Sequence, residues 1–229
     1  MAAGGRTLGT PVDDFVLGLA RGRRVCTVPT ANREPDAGLL LFYDAFARKA
    51  ECSRLLFNPW PPSDLRAFTL AQDVLLVPGG NTANMLAIWR VHGFDRIVRE
   101  AWEQGVVLYG WSAGMISWFE SGVTDSFGPQ LETMDCLGFL PGSACPHYDG
   151  EELRRPRYQA LVANGFPPGW AADDSVALHF AGTELAEAVT VRPEGRAYRV
   201  EPGSETPIEA RLLSWPPATS ASPRATPRP

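Results

Sequence analysis

The chain of 229 residues lacks the features of several common protein classes. Its four cysteines, at positions 26, 52, 136 and 145, include no C-x-x-C pair, which argues against a zinc or thioredoxin-type site. No apolar run approaches the roughly 20 residues of a membrane span. A net charge of −5 disfavours nucleic acid and anionic membranes as partners. The N-terminal stretch MAAGGRTLGTPVDDF has no signal-peptide pattern, so we expect a cytoplasmic protein with reduced thiols.

Apolar segments of two kinds alternate along the first half of the chain. Short apolar runs that are typical of strands lie at residues 24–29, 53–57, 73–77 and 106–109. Helical patterns lie at residues 37–50, 82–91 and 94–104, with a short helix or turn at 61–70. This alternation predicts an α/β fold whose parallel sheet is covered on both faces.

The second half of the chain has a weaker pattern. Residues 120–148 are predicted to form loops with short strands, and residues 151–164 a helix. Short strands, antiparallel at one edge, are predicted at residues 171–180, 186–191 and 197–201. We expect a single α/β domain over residues 1–215. Residues 216–229, rich in Pro, Ser and Arg, are predicted to be a disordered tail.

The stretch VVLYGWSAGM, residues 106–115, places a serine at the end of a buried strand and before a helix. A strand that turns sharply into a helix through G-x-S-x-G is a nucleophile elbow. Gly110 and Gly114 would relieve clashes at the bend, and Ser112 would stand above the carboxyl edge of the sheet. The N–H of Ala113 could then stabilise an oxyanion. The alternative is a small-residue turn without chemistry.

A serine nucleophile needs a base, and the chain has only three histidines. His92 lies at a helix end and is interpreted as a cap. His179 lies within a strand pattern and is interpreted as a packing or surface residue. His147 lies in loop-rich sequence directly after Pro146, where catalytic groups are common. We therefore select His147 as the base.

Two aspartates are candidates for the acid that orients the base. Asp125 follows the elbow helix in a loop, and Asp174 opens a predicted strand. A turn or capping role is the alternative for each of them. The sequence alone does not distinguish which of the two aspartates would orient the base.

A second oxyanion donor is expected at the end of the preceding strand. The stretch VPGGNT, residues 77–82, contains Gly79, Gly80 and Asn81 at the start of a helix. Glycines allow backbone N–H groups to approach a ligand closely. A phosphate-binding loop is not indicated, because neither G-x-x-x-x-G-K-[ST] nor G-x-G-x-x-G is present.

Three motifs in order resemble the peptidase E family, the serine aspartyl dipeptidases related to cyanophycinases. They are LLVPGGNT (75–82), YGWSAGM (109–115) and GFLPGSACPHYDG (138–150), within a match over residues 24–201. The resemblance implies a three-layer α/β/α sandwich with a mostly parallel central sheet, of the class I glutamine amidotransferase-like type. It also implies cleavage of short peptides, in well-known members those with N-terminal aspartate, without a metal or cofactor.

The resemblance implies roles for the motif residues. Ser112 would be the nucleophile, His147 the base, and Gly80 and Ala113 the oxyanion donors. Asp125 matches an aspartate between serine and histidine in the family. Asp174 falls where many relatives have a triad glutamate.

Two further features concern specificity and the chain start. Arg154 or Arg157 would match the family's arginine for a substrate aspartate, and a solvated basic helix start is the alternative. The family normally opens with an apolar strand. The N-terminal pattern of this chain is weak, which predicts that this edge strand is missing or altered.

We therefore expect a serine exopeptidase with a short peptide as its partner, and we leave a homodimer open. Glu120, Asp125 or Asp149 is a candidate to anchor the free amine of the substrate. One rival is an α/β-hydrolase-like esterase, which shares the order Ser…Asp…His but has longer gaps. The other rival is a non-catalytic binding protein on a hydrolase scaffold.

Overall fold

A computed structural model describes residues 1–32 and 35–215, which form two β-sheets and seven helices. The predicted tail at residues 216–229 lies outside the described residues. The helices are α1 (Pro11–Leu19), α2 (Pro35–Phe46), α3 (Leu65–Leu70), α4 (Thr82–Val91), α5 (Phe94–Glu103), α6 (Ala113–Ile116) and α7 (Arg154–Ala163).

The first sheet has eight strands and forms the centre of the fold. In spatial order they are β14 (Ala210–Leu212), β11 (Glu184–Thr190), β10 (Val176–Ala181), β1 (Ala2–Ala3), β5 (Val107–Trp111), β4 (Val74–Val77), β2 (Arg24–Thr27) and β3 (Glu51–Arg54). The five neighbouring strands β1, β5, β4, β2 and β3 pair in parallel. Strand β10 pairs antiparallel with both β1 and β11. The predicted α/β class with a mostly parallel central sheet is confirmed.

This sheet separates two apolar cores, because side chains along a strand point alternately to opposite faces. In β4, Leu75 packs in one core and Leu76 in the other, and every residue of the strand is buried. Helices α1 and α2 cover the face of Leu76 with side chains such as Val12 and Phe42. Helices α4 and α5 cover the face of Leu75, where Trp89 packs. Burial on both faces explains the continuous apolar runs of the central strands.

The second sheet joins the core that contains Leu75. Its six strands are, in spatial order, β13 (Ser204–Ile208), β12 (Ala197–Glu201), β9 (Gly169–Ala172), β8 (Leu140–Cys145), β6 (Phe119–Thr124) and β7 (Glu132–Asp135). The region 120–148 is therefore more ordered than its pattern predicted, with three strands of one sheet. Gly and Pro in this region obscured the strand pattern, since tertiary packing decides strand formation more than propensity does.

Two sequence-based expectations were wrong. The single strand predicted over residues 171–180 is two strands of different sheets, separated by a turn in which Ser175 has φ 69°. The first strand is neither missing nor at an edge, because β1 lies between β5 and β10 in the middle of the central sheet. A strand of two alanines is too short to give a periodic signal, so only its neighbours reveal its place.

Candidate active site

Ser112 stands at a sharp bend between β5 and α6. Its backbone has φ 54° and ψ −113°, a conformation that residues with a side chain rarely adopt. Gly110 and Gly114 leave space for the bend: a Cβ on Gly114 would lie 2.1 Å from the Val77 carbonyl oxygen, and one on Gly110 would lie 2.7 Å from the Gly114 backbone. The two glycines are therefore required by close backbone approach.

The glycine turn after β4 lies directly beside this serine. A Cβ on Gly79 would lie 3.0 Å from the Ser112 Cβ, so the turn approaches the serine closely. Gly80 has φ 142°, and a Cβ there would lie 2.0 Å from the Ala31 carbonyl oxygen. The Asn81 N–H donates to that same carbonyl at 2.9 Å. The Gly-Gly pair thus brings backbone amides to the carboxyl end of β4, next to β5.

A serine that sequence reasoning missed fixes this turn. Ser126, in the loop after β6, accepts hydrogen bonds at its Oγ from the N–H groups of Thr82 (2.9 Å) and Ala83 (3.3 Å). The Asn81 side-chain amide donates to the Ser126 carbonyl at 2.9 Å, and the Asn81 Oδ1 accepts from the Asn84 N–H at 2.8 Å. The N–H groups in the first turn of α4 therefore have side-chain partners, one of which lies in the loop after a strand of the second sheet.

His147 and Asp174 form a hydrogen-bonded pair. The His147 Nδ1 lies 2.7 Å from the Asp174 Oδ1, although the residues are 27 positions apart. His147 has φ 53°, and its N–H donates to the Gly4 carbonyl at 3.2 Å. A Cβ on Gly5 or on Gly150 would lie 2.1 or 2.2 Å from an Asp174 carboxylate oxygen. These glycines make room for the carboxylate.

Asp149 holds the backbone of Asp174, the carboxylate partner in this pair. Its Oδ1 accepts from the Asp174 N–H at 2.7 Å, and its Oδ2 is ion-paired with Arg192. Burial alone would raise the pKa of Asp149, but the hydrogen bonds from Arg192 and the Asp174 amide outweigh it and hold that pKa below its usual range. Asp149 is therefore an ionised anchor for the turn that carries Asp174.

A pocket of about 550 Å³ opens at this end of the sheet. Ser112 and His147 both line it, together with the turn after β4 and three charged side chains, Asp125, Glu151 and Arg154. The structure thus brings the predicted nucleophile and base to one cavity. Of the two candidate acids, Asp174 pairs with the histidine, whereas Asp125 lies on the pocket wall.

The two predicted arginines differ in position. Arg154 is 3% exposed and lines the pocket, where its Nε lies 2.6 Å from the Glu151 Oε2. Arg157 donates from its Nε to the Leu131 carbonyl at 3.2 Å and is not part of the pocket wall. Only Arg154 is placed to influence a bound molecule.

The other predicted residues lie elsewhere. His92 caps the C-terminus of α4, as expected, and His179 lies in β10 with its ring edge-on to Phe15 at 5.8 Å. Of the amine-anchor candidates, Glu120 accepts from the Gly142 N–H at 2.7 Å and lies outside the pocket wall. Asp149 is ion-paired with Arg192 and also lies outside the pocket wall, so Asp125 is the candidate that lines the pocket.

No metal centre or membrane span is found in the described part of the chain. Within residues 1–32 and 35–215, no group of three or more His, Cys, Asp or Glu side chains is arranged to hold a metal ion. None of the helices in the same ranges is long and apolar enough to cross a bilayer.

A strained serine at a strand-to-helix bend, together with a histidine–carboxylate pair at the same pocket, is the arrangement typical of a serine hydrolase. The model of Peptidase family S51 matches residues 6–188. The chain therefore belongs to Peptidase family S51, and the predicted enzyme class, a serine-type peptidase, is confirmed.

Two named relatives agree with this assignment. Over 195 residues the chain is 48% identical to the protein named "Uncharacterized peptidase YgaJ" of Bacillus subtilis (strain 168), an alignment that covers 82% of this chain and 84% of that protein. Over 165 residues it is 27% identical to "Peptidase E" of Pasteurella multocida (strain Pm70), with 66% and 70% covered. The predicted resemblance to peptidase E is confirmed.

Two solved structures share the fold. A crystal structure of a peptidase from an acI-B1 Actinobacterium superposes with a TM-score of 0.70 at 17% identity, covering 91% of this chain and 93% of that one. A putative peptidase E protein from Listeria monocytogenes EGD-e gives a TM-score of 0.56 at 15% identity, with 93% and 97% covered. At these identities the likeness concerns the fold alone.

Proposed function

We propose that this chain is a serine exopeptidase that hydrolyses short peptides through an acyl-enzyme, with Ser112, His147 and Asp174 as its triad. The observation that carries the proposal is the 2.7 Å contact between His147 and Asp174 beside the pocket that also contains Ser112. The His147 Nε2 is then the nitrogen left to face the serine, because Nδ1 is held by the carboxylate.

In this mechanism His147 removes the proton from Ser112 as the hydroxyl attacks the scissile carbonyl carbon. The N–H groups of Gly80 and Ala113 stabilise the oxyanion, an interaction that contributes roughly 3 kcal/mol per donor in hydrolases of this kind. His147 next protonates the leaving amine, and the same imidazole activates the water that hydrolyses the acyl-enzyme.

Pocket size supports action on small substrates. A volume of about 550 Å³ is suited to a ligand of a few residues, not to a folded chain. We assign the anchoring of the substrate's free amine to Asp125, because it is exposed on the pocket wall. Dipeptides with an N-terminal aspartate, which the family resemblance implies for well-known members, form one arm of the test.

We also propose a reducing, cytoplasmic location. Its support is that all four cysteines are free, with Cys26 and Cys145 buried. Burial raises the pKa of each of these two thiols to about 12, which keeps them unreactive.

The test is a dipeptide library assay, with Asp-X, Ala-X and Leu-X substrates, on the wild type and on Ser112→Ala. Cleavage by the wild type should fall to background in the variant, whereas the exposed Ser63→Ala serves as a matched control that retains full activity. Wild-type protein that cleaves no short peptide would contradict the proposal.

A fluorophosphonate probe separates the enzyme from a non-catalytic binding protein. Labelling of the wild type, absent in Ser112→Ala, is expected, since an activated serine reacts and an inert one does not. An esterase remains the second enzymatic candidate. Hydrolysis of esters with no hydrolysis of dipeptides would favour it.

A further inference from the structure

The pocket beside Ser112 has an unbalanced set of charges. Among its lining residues are the carboxylates of Asp125 and Glu151 and the single guanidinium of Arg154. Two negative charges against one positive charge favour a cationic group in the pocket over an anionic one.

Arg154 is already occupied by groups of the protein. Its side chain is 4% exposed, and its Nε and Nη2 donate to the two Glu151 carboxylate oxygens at 2.6 and 3.4 Å. Its Nη1 donates to the Val123 carbonyl at 3.2 Å. The planar fork that binds carboxylates in two-point fashion is therefore engaged by Glu151 from the same helix start.

A second positive feature near the pocket is the N-terminus of α4, and it is also occupied. Ser126 accepts from the Thr82 and Ala83 N–H groups, and the Asn81 side chain accepts from the Asn84 N–H. To bind at either of these two features, an acidic substrate side chain would have to displace one of these internal partners or Glu151. Either displacement costs a hydrogen bond that already exists.

The acidic groups, in contrast, remain accessible. The Glu151 side chain is 48% exposed while it contacts Arg154. Asp125 is exposed on the pocket wall, and within the described ranges its carboxylate makes no hydrogen bond or ion pair. These oxygens can accept hydrogen bonds from an ammonium group.

We propose that Glu151 determines specificity by neutralising Arg154, so that the pocket selects peptides whose acyl-side residue is neutral or basic rather than acidic. This inference rests on the proposed peptidase function. It assigns a substrate class opposite to the N-terminal aspartate that the family resemblance implies for well-known members.

The first test uses the wild-type protein and three dipeptides that share a leaving residue: Ala-Leu, Lys-Leu and Asp-Leu. We expect kcat/KM for Ala-Leu and Lys-Leu to exceed that for Asp-Leu by about tenfold or more, the effect of one unfavourable charge at a partly exposed site. Asp-Leu cleaved as fast as Ala-Leu, or faster, would overturn the inference. Failure to cleave any of the three would overturn the peptidase proposal itself, so the two failures are distinct.

The second test is Glu151→Gln, which keeps a hydrogen-bond acceptor for Arg154 but removes the charge. The Asp-Leu to Ala-Leu ratio of kcat/KM should rise roughly tenfold as the guanidinium becomes available to the substrate. The matched control is Glu152→Gln, an exposed neighbour outside the pocket wall, for which the ratio should not change. An unchanged ratio in a folded Glu151→Gln protein would contradict the assignment, and the wild-type comparison decides the matter if that variant does not fold.

Discussion

The serine and the histidine of the site are held in place by two different kinds of structure. Residues 1–116, which we call the nucleophile half, hold Ser112 between one strand and the helix that directly follows it. Residues 117–215, the histidine half, supply His147 and Asp174 from turns after two strands of the second sheet. The first arrangement is mainly local, whereas the second joins residues far apart in the chain.

The contacts around each group show this difference. The bend at Ser112 depends on glycines two residues before and two residues after it. The His147–Asp174 pair depends on Gly4 and Gly5, more than 140 positions away, and on Asp149 with its ion pair to Arg192. Substitutions in the histidine half should therefore change catalysis through positioning, and substitutions at the bend should also change folding.

The largest expected effect is that of His147→Ala. Without its imidazole neither the serine nor the water is activated, and kcat for a cleaved dipeptide should fall about 10⁴-fold. Steady-state assays would measure this. His179→Ala is the matched control, because that histidine lies in β10 outside the pocket wall and should leave kcat within about twofold. Similar losses in both variants would show that His147 is not the base.

A second comparison separates the two aspartates. Asp174→Asn should lower kcat by about 10²- to 10⁴-fold, because the amide cannot hold the imidazole in the required tautomer or stabilise its cation. Asp125→Asn should instead raise KM, with kcat changed less than about threefold, since its carboxylate faces the substrate. Measurement of kcat and KM separately for both variants checks this, and the reverse pattern would exchange their assigned roles.

The third prediction concerns the bend itself. Gly114→Ala should lower the free energy of unfolding by about 2–3 kcal/mol, because its Cβ would lie 2.1 Å from the Val77 carbonyl oxygen. Gly18→Ala, in the exposed face of α1 with no atom within 4 Å of the added Cβ, should raise that free energy by about 0.5–1 kcal/mol. Urea unfolding of both variants provides the measurement, and a neutral Gly114→Ala would mean that the bend is looser than described.

The nucleophile half was the part of the site that could be predicted from sequence. The bend at Ser112 could be predicted from local sequence, because the strand, the glycines and the helix are adjacent in the chain. His147 was selected as the candidate base by elimination among three histidines, which is a property of composition and not of geometry. The preference for Asp174 over Asp125 as the proposed acid rests on a contact between distant turns, which leaves no local signal in the sequence.

Other features were missed for related reasons. The role of Ser126 depends on a contact over more than 40 positions with the start of α4. Helix α1 was not predicted, although Thr10 as N-cap and Pro11 at the first helical position are a known start signal. The start signal of α1 is local and is present in the sequence, whereas no local pattern indicates the Ser126 contact.

The smallest expected effect compares one buried carboxyl group from each half. Asp13 is a buried residue of α1, and its Oδ2 accepts from the Gly9 N–H at 2.7 Å. Asp173 accepts from the Arg196 N–H at 2.9 Å. Burial raises the pKa of Asp13 to about 7 and that of Asp173 to about 6. Both values lie above the value of 3.8 for an unfolded chain, so each group favours the folded state at low pH.

This stability is lost as the pH rises through the folded-state pKa, because the unfolded chain releases its proton first. The free energy of unfolding of the wild type should therefore decrease when the pH is raised from 5 to 8. This decrease should be about 2 kcal/mol larger than in Asp13→Asn, since the amide does not ionise. Asp173→Asn should remove a smaller part of the loss, because its pKa is closer to the unfolded value. Urea unfolding at the two pH values measures both differences. Equal slopes in the wild type and Asp13→Asn would show that Asp13 ionises normally, and a larger effect at Asp173 would place the more strongly shifted carboxyl group in the histidine half.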